Sequence, residues 1–352
     1  MARIRLLRGA ALAALVFAVS GGNALHAQES TASRPAAYSL FGVEHIYQDW
    51  NNCGPATLTM ALTYYTDQTL DQHVAANWLK PNYEDKNVSP WQMAEYVNTQ
   101  LGGNLRLLVR QGGDLEQLKT LIANDFPVVI EEGYDPPGRD LGWMGHYLLM
   151  SGYDDNASTF LTQDSYEGPN YSYTYDHINE YWRHFNRIFL VLYPQEREAE
   201  LMALLGSDAD TQQNWANALT EARAEAVANP NDPFAWFNMG TSFVGLGMDA
   251  EAAVAYDQAR NVGEGLPWRM LWYQFGPFEA YLSVGRNQDV IDLAQANLND
   301  GGGQYVEETF YYAALARAAM GETDRAILNL DGAISFNPNF TPARDAKARL
   351  QG

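Results

Sequence analysis

"QDWNNCGPATLTMAL", Gln48 to Leu62, contains the chain's single cysteine, Cys53. Gly54 and Pro55 follow it, and then apolar residues recur at helical spacing. Proline is well tolerated in a first helical turn, where backbone N–H groups lack internal partners. The helix is therefore expected to begin at Cys53. The positive end of the helix dipole favours a thiolate by about 0.3–1 kcal/mol at an exposed site, and by up to ~2 kcal/mol when partly buried. That alone does not make a thiol into a catalytic nucleophile; a histidine in contact must supply the rest. A lone cysteine forms no intramolecular disulfide. It reads either as a small buried apolar residue or as a nucleophile.

The surrounding chain narrows the choice. Residues 1–27 place Arg3, Arg5 and Arg8 before a short apolar run and end on small residues, the pattern of a secretory signal peptide. The run is shorter than the roughly 20 residues a bilayer span requires, and no later segment is apolar enough. The expectation is an exported protein, periplasmic or extracellular, without a membrane span. The chain carries 22 basic and 43 acidic residues, a net charge of −21. Such a surface repels phosphate backbones and anionic lipid, which argues against nucleic-acid and membrane-surface roles.

Residues 28–38 are small and polar and read as a tether. Residues 39–193 mix helical and strand patterns. "GPATLTMALTYY", "PWQMAEYVNTQL" and "DLEQLKTLIAND" are predicted helices. Leu105–Val109, Pro127–Glu131, His146–Tyr153, Thr159–Gln163 and Arg187–Tyr193 are predicted strands. Helices first and strands later point to an α+β domain with an antiparallel sheet. After Pro194 the strand signals stop. Residues 194–230 read as a linker and a leading helix. Residues 231–352 repeat: Trp236, Gly240, Gly247, Ala252 and Tyr256 stand at the spacing of a tetratricopeptide repeat. Gly285 and Gly321 restate the turn glycine, giving about three repeats. Each helical pair cannot bury its own face, so the pairs must stack. The concave side would hold a protein partner or peptide; otherwise the repeats only stabilise.

Of the histidines, His146 has a distinctive context. It opens "HYLLMSGYDDNASTFLTQDS", which reads as strand, tight turn, strand. A turn at Asp154–Ala157 places His146 opposite Asp164 or Ser165, and opposed residues share a face. A carboxylate there would orient the imidazole and stabilise its charged form. Gln48, or an asparagine at 51 or 52, could donate to a developing oxyanion together with the Cys53 N–H. Trp143, Tyr147 and Tyr166 are candidates for a cleft lining or for core. The Gly/Pro-rich stretch "EEGYDPPGRDLGWMG" could overhang the site. Histidines and carboxylates do not cluster at metal-ligand spacing and no phosphate loop is present, so neither a metal nor a cofactor is expected.

Taken in order, "QDWNNCGPA", "PVVIEE", "GHYLLMSGYDD" and "LTQDS" resemble family thirty-nine of the cysteine peptidases. These are papain-like relatives of the bacteriocin-leader peptidases, here of the stand-alone branch. The resemblance covers roughly residues 40–193. It implies a papain-like domain with nucleophile Cys53, general base His146, orienting Asp164 and oxyanion-hole Gln48. Two positions depart from the family: Asn52 replaces the usual acidic residue, and Ser165 follows the aspartate where proline is usual. The implied function is an exported cysteine peptidase hydrolysing a peptide or protein substrate, with the repeats recruiting it. The alternatives are a transamidase or amide hydrolase on the same triad, and a non-catalytic peptide-binding scaffold.

Overall fold

The computed structural model describes residues 34–66, 68, 70–135 and 142–352. The expected signal peptide and most of the expected tether lie outside them. The chain opens with a short strand, β1 (Ala37–Ser39), followed by helices α1 (Cys53–Thr63), α2 (Gln72–Leu79) and α3 (Pro90–Glu95). Then come β2 (Leu105–Arg110), α4 (Leu115–Ala123), β3 (Val128–Tyr134), β4 (Met144–Asp154), β5 (Thr159–Asp164) and β6 (Gly168–Thr174). Helix α5 (Tyr175–Trp182) and strand β7 (Phe189–Pro194) complete this region. An antiparallel seven-stranded sheet results, in the order β2-β7-β3-β4-β5-β6, with β1 beside the far half of β4. Residues 37 and 38, read from sequence as tether, thus belong to the sheet. Arg34 just ahead of them pairs with Asp155 and Glu116.

Side chains alternate across a strand, so successive residues enter different cores. Val129, Tyr147, Leu149, Leu190 and Leu192 pack under α1 with Leu58, Met60 and Leu62. Val128, Ile130, Leu148, Met150, Phe189 and Val191 pack on the other face with Leu118, Leu121 and Ile122 of α4. Burial on both faces explains why β3 and β7 read as continuous apolar runs rather than as alternation.

Caps set the helix starts. Asp114 accepts from Gln117 N at α4, Thr174 does the same from His177 N at α5, and Ser89 with Gln92 forms a capping box at α3. Helix α1 begins at Cys53, as its Gly-Pro start implied, but Asn52 makes no side-chain cap bond.

Beyond β7 the chain is helical. Helix α6 (Glu198–Leu205) adds Leu201 and Leu205 to the sheet's core. The remaining helices are α7 (Thr211–Ala228), α8 (Pro233–Gly245), α9 (Asp249–Ala259), α10 (Gly276–Ser283), α11 (Asn287–Leu298), α12 (Glu307–Ala319), α13 (Thr323–Phe336) and α14 (Thr341–Gln351). Gly247, Gly285 and Gly321, the repeated turn glycines, have φ of +72°, +75° and +79° and separate the members of three helix pairs. Only glycine takes that conformation without strain. Within the first pair, a Cβ on Gly240 would fall 2.6 Å from the Tyr256 ring, so the small residue permits the close approach. No helix among the described residues is long and apolar enough to cross a membrane.

Buried polar contacts join the two regions. Glu307 of α12 accepts from Gln92 Nε2 at 3.0 Å and from Asn337 Nδ2 at 2.7 Å, and Ser89 Oγ donates to Glu308 at 3.1 Å. Asp85 is buried against the same pair, and one oxygen each of Asp85, Glu307 and Glu308 lacks a protein partner. Gln274 Nε2 donates to the His184 carbonyl at 2.9 Å, and Tyr273 packs on Gly145.

Candidate active site

Three segments converge at the start of α1. Helix α1 presents Cys53, half-buried, at its first residue. Strand β4 presents His146, and β5 ends on Asp164; both are buried. His146 Nε2 lies 2.9 Å from Asp164 Oδ1. Asp164 is ionised, so a carboxylate that can only accept fixes the proton on Nε2. That leaves the other ring nitrogen, Nδ1, for Cys53, which is near enough to add to the ring's basicity.

The register differs from the sequence expectation. The β4–β5 turn falls at residues 155–158, one position later than predicted, and Asp164 pairs with Leu148 rather than with His146. His146 and Asp164 are diagonal neighbours on one face. A bulge makes this work. Near the turn Asp154 pairs with Thr159, Tyr153 with Phe160 and Gly152 with Leu161; beyond Ser151 the pairing steps by one, to Met150 with Thr162. Continued without that step, it would set Asp164 opposite Leu149, on the face away from His146. Ser151, the extra residue, is held by bonds from Leu40 N to its carbonyl and from its Oγ to Leu161 O.

Asp164 is saturated with donors. Its Oδ1 also accepts from the N–H groups of Tyr166 (2.8 Å) and Glu167 (3.0 Å), and its Oδ2 accepts from Tyr173 Oη at 2.6 Å. Burial works against its charge, but the His146 ring and these donors outweigh it and hold the carboxyl well below the usual range. Burial likewise opposes a charged His146, yet Asp164 and Cys53 raise its basicity well above that of a free imidazole.

Gln48 lies beside this group. Its N–H donates to the Ser165 carbonyl at 2.8 Å, and its side-chain Oε1 accepts from Ser165 Oγ at 2.9 Å. Ser165, one of the two departures from the family pattern, therefore anchors the carbonyl end of the Gln48 amide and leaves the NH₂ end for other work. The asparagines considered beside it are engaged elsewhere. Asn52 Nδ2 donates to Gln72 Oε1, which explains the missing cap on α1. The Asn51 amide oxygen, with the amide oriented to satisfy its neighbours, accepts from Trp50 and Lys86. The first N–H groups of α1 thus have no side-chain cap, a favourable arrangement for a developing anion.

The remaining histidines are set apart from this group or play another part. His45 Nε2 contacts the Asp164 carbonyl at 3.1 Å, and His73 is exposed between Asp71 and Asp49. His184 stacks on Phe234 and accepts from Trp143 Nε1; burial first, then Arg183, lowers its pKa to about 3. Of the three aromatics in question, Tyr147 is core, Trp143 stacks on Phe185 and Tyr166 is exposed. Residues 136–141 of the candidate overhanging loop lie outside the described residues.

Sequence reasoning missed Tyr173, Gln72 and the anchoring role of Ser165. Tyr173 lies on β6, a polar strand with no alternation to reveal it, and Gln72 ties together Tyr47, Asp49 and Asn52 only once α2 has docked. Among the described residues, no group of three or more His, Cys, Asp or Glu side chains is arranged to hold a metal ion.

Comparison with known proteins agrees with the fold. Residues 40–190 match the sequence model of the Peptidase_C39 like family, which supports a cysteine-peptidase fold for the sheet region. Among solved structures, a protein described as a C39-like peptidase from Bacillus anthracis aligns at 17% identity and TM-score 0.34, covering 45% of this chain and 97% of that one. A second, the MamA RS-1 ArsTM double mutant, aligns at 14% identity and TM-score 0.35, covering 44% of this chain and 83% of that one. No curated protein matches the chain.

Proposed function

We propose that the chain is an exported cysteine peptidase that hydrolyses peptide bonds with Cys53, His146 and Asp164, and that its C-terminal helices are tetratricopeptide-type repeats that engage the substrate. One arrangement carries the reading: the His146 ring lies 2.9 Å from the Asp164 carboxylate and has its basicity raised by Cys53, whose sulfur stands at an uncapped helix start.

The chemistry follows from that arrangement. The thiol proton passes to His146 Nδ1, and the thiolate attacks the peptide carbonyl carbon. The oxyanion is met by the Cys53 N–H and by the Gln48 amide, whose orientation Ser165 supports; losing one such donor typically costs about 10²–10³ in rate. His146 then gives its proton to the departing amine nitrogen as the C–N bond breaks, leaving an acyl-enzyme thioester. A water molecule, deprotonated by the same imidazole, attacks the thioester and releases the carboxylic acid, and the thiol is restored. Asp164 stays ionised throughout and keeps the Nε2 proton in place.

The test is a comparison of peptide pools. The purified chain and its Cys53→Ala variant are incubated with a peptide library, and new termini are read by mass spectrometry. Cleavages present only with Cys53, together with an acyl adduct trapped on Cys53, are expected. Identical pools from the two proteins would remove the peptidase reading.

A further inference from the structure

A cavity of about 650 Å³ lies between the sheet and the helical repeats, within the range of about 300–1,000 Å³ usual for ligand sites. It adjoins the candidate site. Phe185 and Tyr273 line it, and both press on Gly145, the residue before His146: a Cβ there would meet each at 2.9 Å. Glu131, also in the lining, pairs across the sheet with Tyr147, the residue after His146. Tyr273 and Cys53 pack on the same apolar cluster, which contains Tyr147 and Phe185.

The lining is chemically one-sided. Its aromatic residues include Trp91, Tyr273, Phe275 and Tyr312, and its ionisable acids are Glu131, Glu279 and Glu308. Lysine, arginine and histidine are absent from it among the described residues. Glu308 is only 2% exposed, and its Oε2 has no protein partner. Glu279, which accepts from Tyr312 Oη, keeps accessible surface toward the cavity although protein surrounds it. Rings offer their faces to a cation, and the three acids, whose pKa burial raises, would regain their charge and make charge-assisted bonds beside one. An apolar wall with acidic ends also fits a long methylene stem carrying a charge.

We infer that this cavity binds a lysine or arginine side chain of the peptide substrate, so that the repeats supply one wall of the specificity pocket. The inference rests on the peptidase reading for the word substrate, but the binding it describes is measurable without turnover. The volume exceeds a single side chain, so the basic residue enters with part of its neighbours. Glu131 and Glu308 take the charged end, and the aromatic residues contributed by the repeats hold the stem.

The test uses the full chain carrying Cys53→Ala, so that nothing is cleaved. Fluorescein-labelled Ala/Gly octapeptides that differ only in a lysine, norleucine or glutamate at each position in turn are followed by fluorescence anisotropy. At the preferred position lysine should bind tighter than norleucine by about tenfold or more, and glutamate weakest. Glu308→Gln should cut the lysine advantage to about threefold or less while leaving norleucine affinity unchanged. Glu279→Gln, at the more accessible acid, serves the same purpose should Glu308→Gln fail to fold. Equal affinity for lysine and norleucine, or an undiminished lysine advantage in a folded glutamine variant, would overturn the assignment. So would displacement of the lysine peptide by spermidine at concentrations below the peptide's own Kd, which would make the occupant a free polyamine. Lysine-selective binding without cleavage by the Cys53 chain would sink the peptidase reading alone, and cleavage indifferent to lysine would sink the pocket alone.

Discussion

Asp164→Asn separates two jobs that the carboxylate performs. Three donors converge on its Oδ1: the His146 ring and the N–H groups of Tyr166 and Glu167. Backbone N–H groups cannot turn round, so an asparagine must place its carbonyl oxygen there. Its NH₂ then occupies the Oδ2 position, where it meets Tyr173 Oη. A hydroxyl can rotate and accept. The asparagine therefore keeps all three Oδ1 donors paired, and His146 keeps its proton on Nε2. What disappears is the charge. A hydrogen bond to a charged group contributes about 1.5–3 kcal/mol against about 1 for a neutral one. The difference of about 0.5–2 kcal/mol corresponds to a loss of about two- to thirtyfold in kcat/KM. A reversed tautomer, by contrast, costs about 10⁴ in kcat. The imidazolium is also less favoured, so the alkaline limb of the pH–rate profile should move to lower pH. The assay is kcat/KM against pH on a peptide found in the library experiment. A loss near 10⁴, or an alkaline limb that does not move, would refute the argument from the three-donor nest.

Further outcomes follow from the same contacts. Tyr173→Phe strips from a buried carboxylate oxygen its only side-chain donor among the described residues and should cost about 1–3 kcal/mol at neutral pH in urea unfolding; the folded carboxyl titrates below its unfolded value, so this stability is present above about pH 4 and fades as pH falls through the folded value. Asp85 has the opposite sign: burial first, then Glu307 and Glu308, raise it well above an ordinary carboxyl. The native state therefore binds more protons than the unfolded chain, and stability falls as pH rises from about 4. Asp85→Asn should melt progressively higher than wild type between pH 5 and pH 8, and a constant gap would count against the buried acid cluster. Gly145→Ala forces a Cβ against Phe185 and Tyr273; overpacking of this kind typically costs about 1–3 kcal/mol, read as a lower urea midpoint.

How far the sequence carried these conclusions depends on what each feature rests upon. Helices α1 and α4 were legible because Pro55 and Asp114 mark their starts; apolar residues recur on one face of α4, whereas α1 is buried nearly all round. Strands β3, β4 and β7 were legible because burial left apolar runs, and β5, "TFLTQD", because a tight turn follows β4 and leads into it. Strand β6, "GPNYSYT", was not: it lies at the sheet's margin with most of its residues exposed, so neither alternation nor an apolar run marks it. Helix α5 hides for a similar reason, with only Ile178 and Trp182 buried along a polar stretch. Within the candidate site, the cysteine, the histidine and the aspartate could be nominated by residue type and order. Their partnerships could not: Tyr173 reaches Asp164 only through strand pairing, and Ser165 reaches Gln48 only through loop return, which hydropathy does not encode.

The extra residue at Ser151 has a consequence for how this hairpin can change. Whether the imidazole and the carboxylate lie on the same side of the sheet depends on the parity of the paired residues, which the unpaired Ser151 does not enter. Deleting Ser151 would make Gly152–Leu161 and Met150–Thr162 consecutive pairs and leave the acid beside its base, whereas removing one residue from β5 would set the acid opposite Leu149 and point it away. Single-residue changes between positions 146 and 164 are therefore tolerable at the bulge, or in the turn, where added residues need not propagate into the pairing.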